Sequence, residues 1–347
     1  MNALRRLIGE ARPWVVAEIG VNHNGRLAEA LALVELAARA GAQAVKFQAF
    51  RAERLARVDA PLAEYQRRNL GGDGGQWEML CALEIDTPAL TACAARAREL
   101  GLAFGVTPFD PRSLAEILPL EPDFVKIGSG DADNFLLLEA ARACGRPVIV
   151  STGMCDGDDV ERLLDWFAGA CERLALLHCV SAYPAPAEDC NLLALAALRR
   201  EGVVTGFSDH TADARAACLA LALGAEIIER HITLDRAAPG PDHACSSDEA
   251  DLRAWLAALA GTRALLGDGM KRPMPSEGDT RRVARKSLVL ARPLRAGEAL
   301  ERGHAACLRP ADGLPAWRLP GLLGRRAARD LEAGLLLNES DLREEGP

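Results

Sequence analysis

From Trp14 to Leu266 the chain alternates short apolar runs with longer segments of helical spacing. The apolar runs fall at residues 14–19, 44–48, 102–106, 124–127, 147–151, 174–178, 203–207 and 225–229. Gly, Pro or polar turn residues bound most of them, and none alternates cleanly between apolar and polar positions. Continuous apolar runs are what a parallel sheet covered on both faces requires. The segments between are rich in Ala, Leu, Arg and Glu. Residues 27–40 make the clearest helix, with Gly41 as its stop. Thr87-Pro88 reads as an N-cap followed by Pro at the first helical position. Eight strand–helix units in about 250 residues predict an α/β fold, a (β/α)8 TIM barrel. The alternative, a doubly wound open sheet, would carry fewer strands and a Gly-rich first turn. Gly20-Val21-Asn22-His23-Asn24-Gly25 lacks the GxGxxG spacing.

Two stretches break the rhythm. Residues 46–83, with Tyr65-Gln66-Arg67-Arg68-Asn69 and Gly71-Gly72-Asp73-Gly74-Gly75, read as one long βα loop, the kind that serves a barrel's active site. After Leu266 the composition turns to Gly, Pro, Ser and charge, which predicts a barrel domain over 1–266 and a linker over 267–282. A small β-rich domain is expected over 283–347. Inside it, residues 291–300 and 328–337 form a weak repeat, each copy read as a short strand leading to a Gly turn. A unit of about 60 residues is marginally stable alone and is expected to pack on a barrel, its own or a partner's.

The net charge of −8 argues against a nucleic-acid surface but leaves room for a local lysine pocket that takes a small anion. The ten cysteines include no CxxC pair, and Cys93, Cys144 and Cys218 sit in Ala-rich helical stretches. That usage suits free thiols in a reducing cytosol. No segment approaches the roughly 20 apolar residues of a membrane span, and no apolar leader follows Arg5 and Arg6. A cytoplasmic protein without a membrane partner is expected.

The strand ends carry the chemistry. Glu18 closes the first run, Lys46 and Gln48 the second, and Thr107 the third. Lys126 and Ser129 close the fourth, Ser151 the fifth, and His178 the sixth, with Ser181 and Tyr183 just beyond. Ser208 and His210 close the seventh, Glu229 and His231 the eighth. In a (β/α)8 barrel these ends converge on one face, where active sites lie. Either imidazole alone reads as a helix cap or a ring satisfied by backbone. Two at adjacent strand ends can share a divalent metal that polarises a carbonyl. Lysines with hydroxyls and a flexible Gly128-Ser129-Gly130 make an anion-binding set, with Glu18 as a general base or as a lysine partner. The residues alone thus imply a metal-assisted reaction between a phosphorylated anion and a carbonyl compound.

Taken together, Ala17-Glu18-Ile19-Gly20-Val21-Asn22-His23-Asn24-Gly25, Val45-Lys46-Phe47-Gln48, Thr107-Pro108-Phe109, Lys126-Ile127-Gly128-Ser129-Gly130, Ser151-Thr152-Gly153-Met154, Leu177-His178-Cys179, Ser208-Asp209-His210-Thr211 and Glu229-Arg230-His231 resemble the sialic acid synthases. The C-terminal stretch resembles that family's SAF, or antifreeze-like, domain. The resemblance implies condensation of phosphoenolpyruvate with an N-acylated mannosamine-type sugar, giving a nine-carbon sugar acid and phosphate. It implies catalytic roles for Glu18, Lys46, Lys126 and Glu229. Phosphoenolpyruvate would be held by Lys46, Thr107, Lys126, Ser129, Ser151, Ser181 and Ser208. The sugar would be met by Gln48, Asn69, Asp131, Tyr183, Asp242 and Arg309, and a divalent ion by His210 and His231. That ion is expected to be Mn2+, with Mg2+ or Co2+ as alternatives. A domain-swapped homodimer follows, with Arg309 reaching the partner's sugar site. Asp131 replaces the Glu common in acetylneuraminate-forming members, and Ser181-Ala182 stands where they often carry Asn. Asp at that first position is more like the legionaminic acid synthases, so both sugars stay open. Another phosphoenolpyruvate-dependent synthase of seven- or eight-carbon sugar acids would lack the C-terminal unit. A carbohydrate- or ice-binding protein built on an antifreeze-like domain would not need the strand-end set, and Arg292, Arg295, Arg325 and Arg329 break a flat, uncharged surface.

Overall fold

A computed structural model describes residues 3–9, 13–71 and 74–343. Gly72 and Asp73 of the glycine-rich run lie outside the described residues. Eight parallel strands close into a barrel in chain order: β1 Trp14–Gly20, β2 Ala44–Ala49, β3 Ala103–Pro108, β4 Phe124–Ile127, β5 Val148–Ser151, β6 Leu174–His178, β7 Val204–Asp209 and β8 Ile227–His231. β1 pairs with both β2 and β8, setting Glu18 opposite Lys46 on one side and opposite His231 on the other.

Side chains two residues apart on a strand share a face. The inward set therefore climbs each strand from an apolar floor to a polar rim. Trp14, Val16, Ala44, Phe124, Ile149, Ala175, Leu177, Val204 and Ile227 pack inside the barrel, joined by Leu4 and Ile8 of the N-terminal helix Ala3–Ile8. One step further along the same faces stand Glu18, Lys46, Lys126, Ser151 and Glu229. Alternate faces of the strands pack in a separate apolar layer against the surrounding helices. A buried floor beneath a polar rim fixes the rim groups without leaving them free to collapse inward.

The floor depends on small residues beside large ones. Trp14 meets Phe124 edge to face at 5.3 Å between ring centroids, and a Cβ on Gly105 would run into the Phe124 ring. Gly105→Ala is expected to destabilise the fold by about 1–3 kcal/mol, read as a lowered urea midpoint. Adding Phe124→Leu should recover part of that loss. A midpoint that Gly105→Ala leaves unchanged would refute this packing account.

Several local expectations need correction. The helix Thr87–Glu99 is capped by Asp86, whose carboxylate accepts from Ala89 N; Thr87 and Pro88 are its first two helical residues. Asp outcompetes Thr as the cap here because its oxygen reaches the orphan amide. The long stretch after β2 holds three short helices, Ala52–Leu55, Glu64–Leu70 and Gln76–Leu83. Between β6 and β7 the described chain has only the 3-10 turns Ala187–Asp189 and Leu192–Ala196, where Pro184 and Pro186 withhold backbone donors. His178 points outward rather than into the rim. Its ring packs 6.1 Å from Phe207, and its Nε2 bonds Cys190 O, so Cys179 takes the inward position.

The chain divides into two compact units, Met1–Gly267 and Asp268–Pro347. In the second, the antiparallel pairs Ser287–Leu290 with Ala305–Leu308 and Arg326–Ala327 with Leu342–Arg343 surround a leucine core. The repeat is real, but its strands precede each copy instead of opening it. Within the copies Leu294 bridges Leu331, and Gly297 and Gly334 both take positive φ, 80° and 84°. The stretch read as a linker contains the helix Gly278–Ala284, and Ala311 N bonds Arg282 O. Among the described residues, no helix is long and apolar enough to cross a membrane.

Candidate active site

The C-terminal mouth of the barrel gathers most of the strand-end residues into one buried polar network. Lys46 Nζ lies 2.9 Å from Glu18 Oε2, 3.6 Å from Glu229 Oε2 and 3.2 Å from Thr107 Oγ1. Lys126 donates to Ser151 Oγ at 2.7 Å and to Ile127 O at 3.1 Å, and stands 3.8 Å from Glu229 Oε1. Ser208 donates to Glu229 Oε1 at 2.8 Å, and Gln48 Nε2 donates to Glu18 Oε1 at 3.1 Å. Two ammonium groups and two carboxylates thus interleave, so that each charge has an opposite neighbour.

Burial splits their proton affinities. It would raise Glu229, but the ammoniums of Lys126 and Lys46 and the Ser208 hydroxyl outweigh it and hold Glu229 at about 2. Burial raises Glu18 above the usual carboxylate range, with Lys46 opposing and the Glu229 charge adding to the rise. Lys46 rises, because Glu18 and Glu229 outweigh its desolvation. Lys126 falls, because burial dominates and Glu229 offsets only part. Asp242, buried and influenced by Glu18, is pushed up to about 7 while Lys46 pulls the other way.

The imidazoles stand beside this network. His210 and His231 have ring centroids 5.5 Å apart, and Tyr183 lies over both, at 4.3 and 5.8 Å. His210 Nδ1 is 2.7 Å from Val180 O, a contact that fixes the Nδ1–H tautomer and leaves Nε2 with a lone pair. His231 Nδ1 is buried with no hydrogen-bond partner. Burial lowers the pKa of both rings, with His210 and Lys46 adding to the fall at His231, which favours the neutral forms. His210 Nε2 lies 3.4 Å from Ser208 Oγ, whose proton goes to Glu229, and neutral imidazoles with a lone pair left suit a divalent ion. Among the described residues no third His, Cys, Asp or Glu completes the set, so remaining positions would fall to substrate or water.

A second group adjoins the network. Gly153 N donates to Ser129 Oγ at 3.0 Å, and Ser129 Oγ lies 3.2 Å from Cys179 Sγ. A Cβ on Gly153 would fall within 3.0 Å of Ser129 Oγ, Cys179 Sγ and Ser181 Oγ. The missing side chain lets these three groups close on the Gly153 backbone. Asn69 Nδ2 donates to Pro241 O at 2.6 Å, which sets it beside Asp242, and Tyr65 packs on Tyr183 at 5.0 Å.

Two further expected sugar contacts have partners of their own. Asp131 accepts from Asn134 Nδ2 and feels Asp133 and Asp110 rather than the lysines. Arg309 belongs to the second unit, where it is exposed and donates to Ala284 O. Cys179 and Tyr65 were missed among the site residues. Cys179 was findable, because Ala175 and Leu177 share its face. Tyr65 carries no such signal, since nothing in a long loop fixes which side chain folds back.

A closed barrel whose mouth buries two lysines, two carboxylates and two neutral imidazoles defines an enzyme of the (β/α)8 class that handles an anionic substrate. The model of the NeuB family matches residues 33–271 and that of the SAF domain residues 285–343, and the chain belongs to the NeuB family. It is 36% identical over 330 residues to the N,N'-diacetyllegionaminic acid synthase of Legionella pneumophila, covering 93% of each chain. Against the enzyme of that name from Campylobacter jejuni it is 35% identical, over 94% of this chain and 98% of the relative. The crystal structure of N-acetylneuraminic acid (sialic acid) synthetase from Leptospira borgpetersenii, in complex with citrate, matches with a TM-score of 0.69 at 32% identity. That match spans 78% of this chain and 91% of the other.

Proposed function

We propose that the protein is a nonulosonic acid synthase, condensing phosphoenolpyruvate with an N-acylated mannosamine-type sugar and releasing phosphate. The observation that carries this reading is the pair of buried lysines on β2 and β4, each bonded to a hydroxyl and facing one shared carboxylate, Glu229. Lys46 and Lys126 offset the phosphate and carboxylate charges, while Thr107, Ser129, Ser151, Ser181 and Ser208 orient them. Glu229 keeps the two ammoniums apart and charged. Gln48, Asn69, Asp131, Tyr183 and Asp242 face the sugar. His210 and His231 fit a divalent ion, Mn2+ before Mg2+ or Co2+, which when bound supplies a Lewis acid for the sugar aldehyde.

C3 of phosphoenolpyruvate forms the new bond to the open-chain aldehyde carbon, whose oxygen becomes an alkoxide and takes up a proton. The cationic C2 is then captured by water, which gives its proton to Glu18. The C2–O bond to phosphate breaks as the C2 hydroxyl passes its proton to the leaving phosphate and becomes the carbonyl, and phosphate leaves into the lysine and hydroxyl set. The assembly proposed is a cytoplasmic homodimer in which Arg309 serves the partner's sugar site. The names of the two relatives favour the 2,4-diacetamido-6-deoxy sugar over N-acetylmannosamine.

A phosphate-release assay with phosphoenolpyruvate and a panel of aldoses tests the reading. Release is expected with N-acyl mannosamine-type sugars, faster with the diacetamido sugar, and lost on chelation of divalent metal. Release with unsubstituted pentose or tetrose phosphates only would overturn it. Light scattering on the same preparation should read twice the chain mass; a monomer that turns over with full rate would remove the swapped arginine.

A further inference from the structure

Behind the imidazoles, on the outer face of the sheet, lies a buried charge pair that the proposed chemistry does not use. Asp209 ends β7 and Arg230 is the penultimate residue of β8, and the two are register partners. Each immediately precedes one of the imidazoles in the chain. Arg230 Nη1 lies 3.3 Å from Asp209 Oδ2, with side chains 6% and 0% exposed. Asp209 Oδ1 accepts from Thr211 N at 2.9 Å and from Thr211 Oγ1 at 2.7 Å. Its Oδ2 accepts from Trp255 Nε1 at 3.0 Å. Arg230 Nη1 donates to Thr211 O at 2.6 Å, and its Nε donates to Ser247 Oγ at 3.0 Å. Ser247 N in turn donates to His231 O at 2.9 Å.

His210 is thereby held on both sides, through Asp209 and Thr211, and His231 through Arg230 and Ser247. Stability alone does not explain the arrangement. Burying an ion pair costs desolvation that a well-packed apolar pair would avoid, and such pairs are best understood as fixing one geometry. Here the geometry fixed is the offset between the ends of β7 and β8, which is the offset between two rings.

We propose that Asp209 and Arg230, with Thr211 and Trp255, form a positioning clamp that sets the spacing of His210 and His231 for a divalent ion. The proposal rests on the metal role given above to those two histidines. The clamp touches neither the substrate nor the ion. It acts through the backbone of the residues that do, as outer partners of metal ligands do elsewhere, where their loss lowers metal affinity about 10–100-fold.

The test measures Mn2+ affinity of the full-length protein by the electron paramagnetic resonance signal of free Mn2+, without substrate. Phosphoenolpyruvate affinity is measured separately by calorimetry in metal-free buffer. Thr211→Val removes one donor to Asp209 at nearly constant shape, and Trp255→Phe removes another while keeping an aromatic ring in its place. Each is expected to weaken Mn2+ binding about tenfold, whereas Thr211→Ser, which keeps the hydroxyl, retains it. The charge-free double variant Asp209→Leu/Arg230→Met should lose more Mn2+ affinity than either. In all of these, phosphoenolpyruvate affinity should stay within a factor of about two, as expected for a change confined to the metal side. If the double variant does not fold, the two conservative variants decide. Mn2+ affinity unchanged in both, or phosphoenolpyruvate affinity falling in parallel, would overturn the clamp. His210→Ala separates the two layers of argument. If it binds Mn2+ as the wild type does, the metal assignment is wrong and the clamp falls with it. If it loses Mn2+ while Thr211→Val and Trp255→Phe keep it, only the clamp is wrong.

Discussion

Lys126→Met should cut kcat/KM by a thousandfold or more while costing the unliganded protein less stability than Lys46→Met does. The two halves of that statement come from the same burial. A positive charge that meets the transferred phosphate in a desolvated site contributes heavily, and removing one partner of such a pair costs about 2–5 kcal/mol; further loss comes from charge that develops in the transition state. Without ligand, however, Lys126 is a strained guest. Its pKa is lowered, chiefly by desolvation. A lysine whose folded pKa lies below its unfolded value costs stability at all pH below the folded value, and the cost fades as pH rises through it. Methionine keeps the volume and removes that cost, but it also takes from Glu229 the ammonium that does most to lower its pKa, leaving Lys46 and Ser208 as partners, so a modest net loss is expected.

Lys46→Met should cost more stability. Its pKa is raised, because Glu18 and Glu229 outweigh burial. That contribution is fully present below the unfolded lysine pKa and is lost as pH rises through the folded one. Its removal leaves Glu18 facing only Gln48, so the melting temperature should fall as activity is lost. Thermal melts of both variants at neutral pH, without ligand, check the contrast. Equal destabilisation by both would show that the lysines are not differentiated by their carboxylates.

The barrel and its rim were legible because one rule governs both. Glu18, Lys46, Lys126 and Glu229 each lie two residues beyond an apolar residue that fills the barrel, so strand parity alone carries them to the mouth. The same rule holds at β6. His178 is the more reactive-looking residue, but Leu177 faces the axis, which makes Cys179 the next inward position. Asp209 and Arg230 carry no such signal, because a charged residue next to a strand-end histidine reads as a solvated edge. Only the pairing of β7 with β8 reveals that they meet. Asp86 was passed over as a cap because the Pro that marks the helix start stands at its second position instead of its first. The Tyr65 and Asn69 contacts depend on how the three short helices after β2 fold back, which no period encodes.

Glu18→Gln decides between the two roles that the carboxylate's surroundings allow. Glu18 takes Gln48 Nε2 on one oxygen at 3.1 Å and faces Lys46 Nζ with the other at 2.9 Å. Gly20 makes the slot that this carboxylate fills, since a Cβ there would lie 3.1 Å from Glu18 Oε1, and glutamine has the same shape. A glutamine in this slot therefore stays in place, but turns an amide nitrogen toward one of two donors. If Glu18 takes the proton of the water that adds at C2, the amide cannot. In that case kcat should fall about 10²–10⁴-fold, the usual worth of a positioned base, and phosphoenolpyruvate affinity should hold or tighten as Lys46 loses a competing anion. If Glu18 only neutralises Lys46, the affinity changes while kcat stays. The raised proton affinity of Glu18 strengthens the first expectation, because a carboxylate lifted by burial is a better base than one in water. Steady-state kcat alongside calorimetric phosphoenolpyruvate binding separates the outcomes. An unchanged kcat in Glu18→Gln would take the residue out of the proton transfer and leave it as the counter-charge that keeps Lys46 in register.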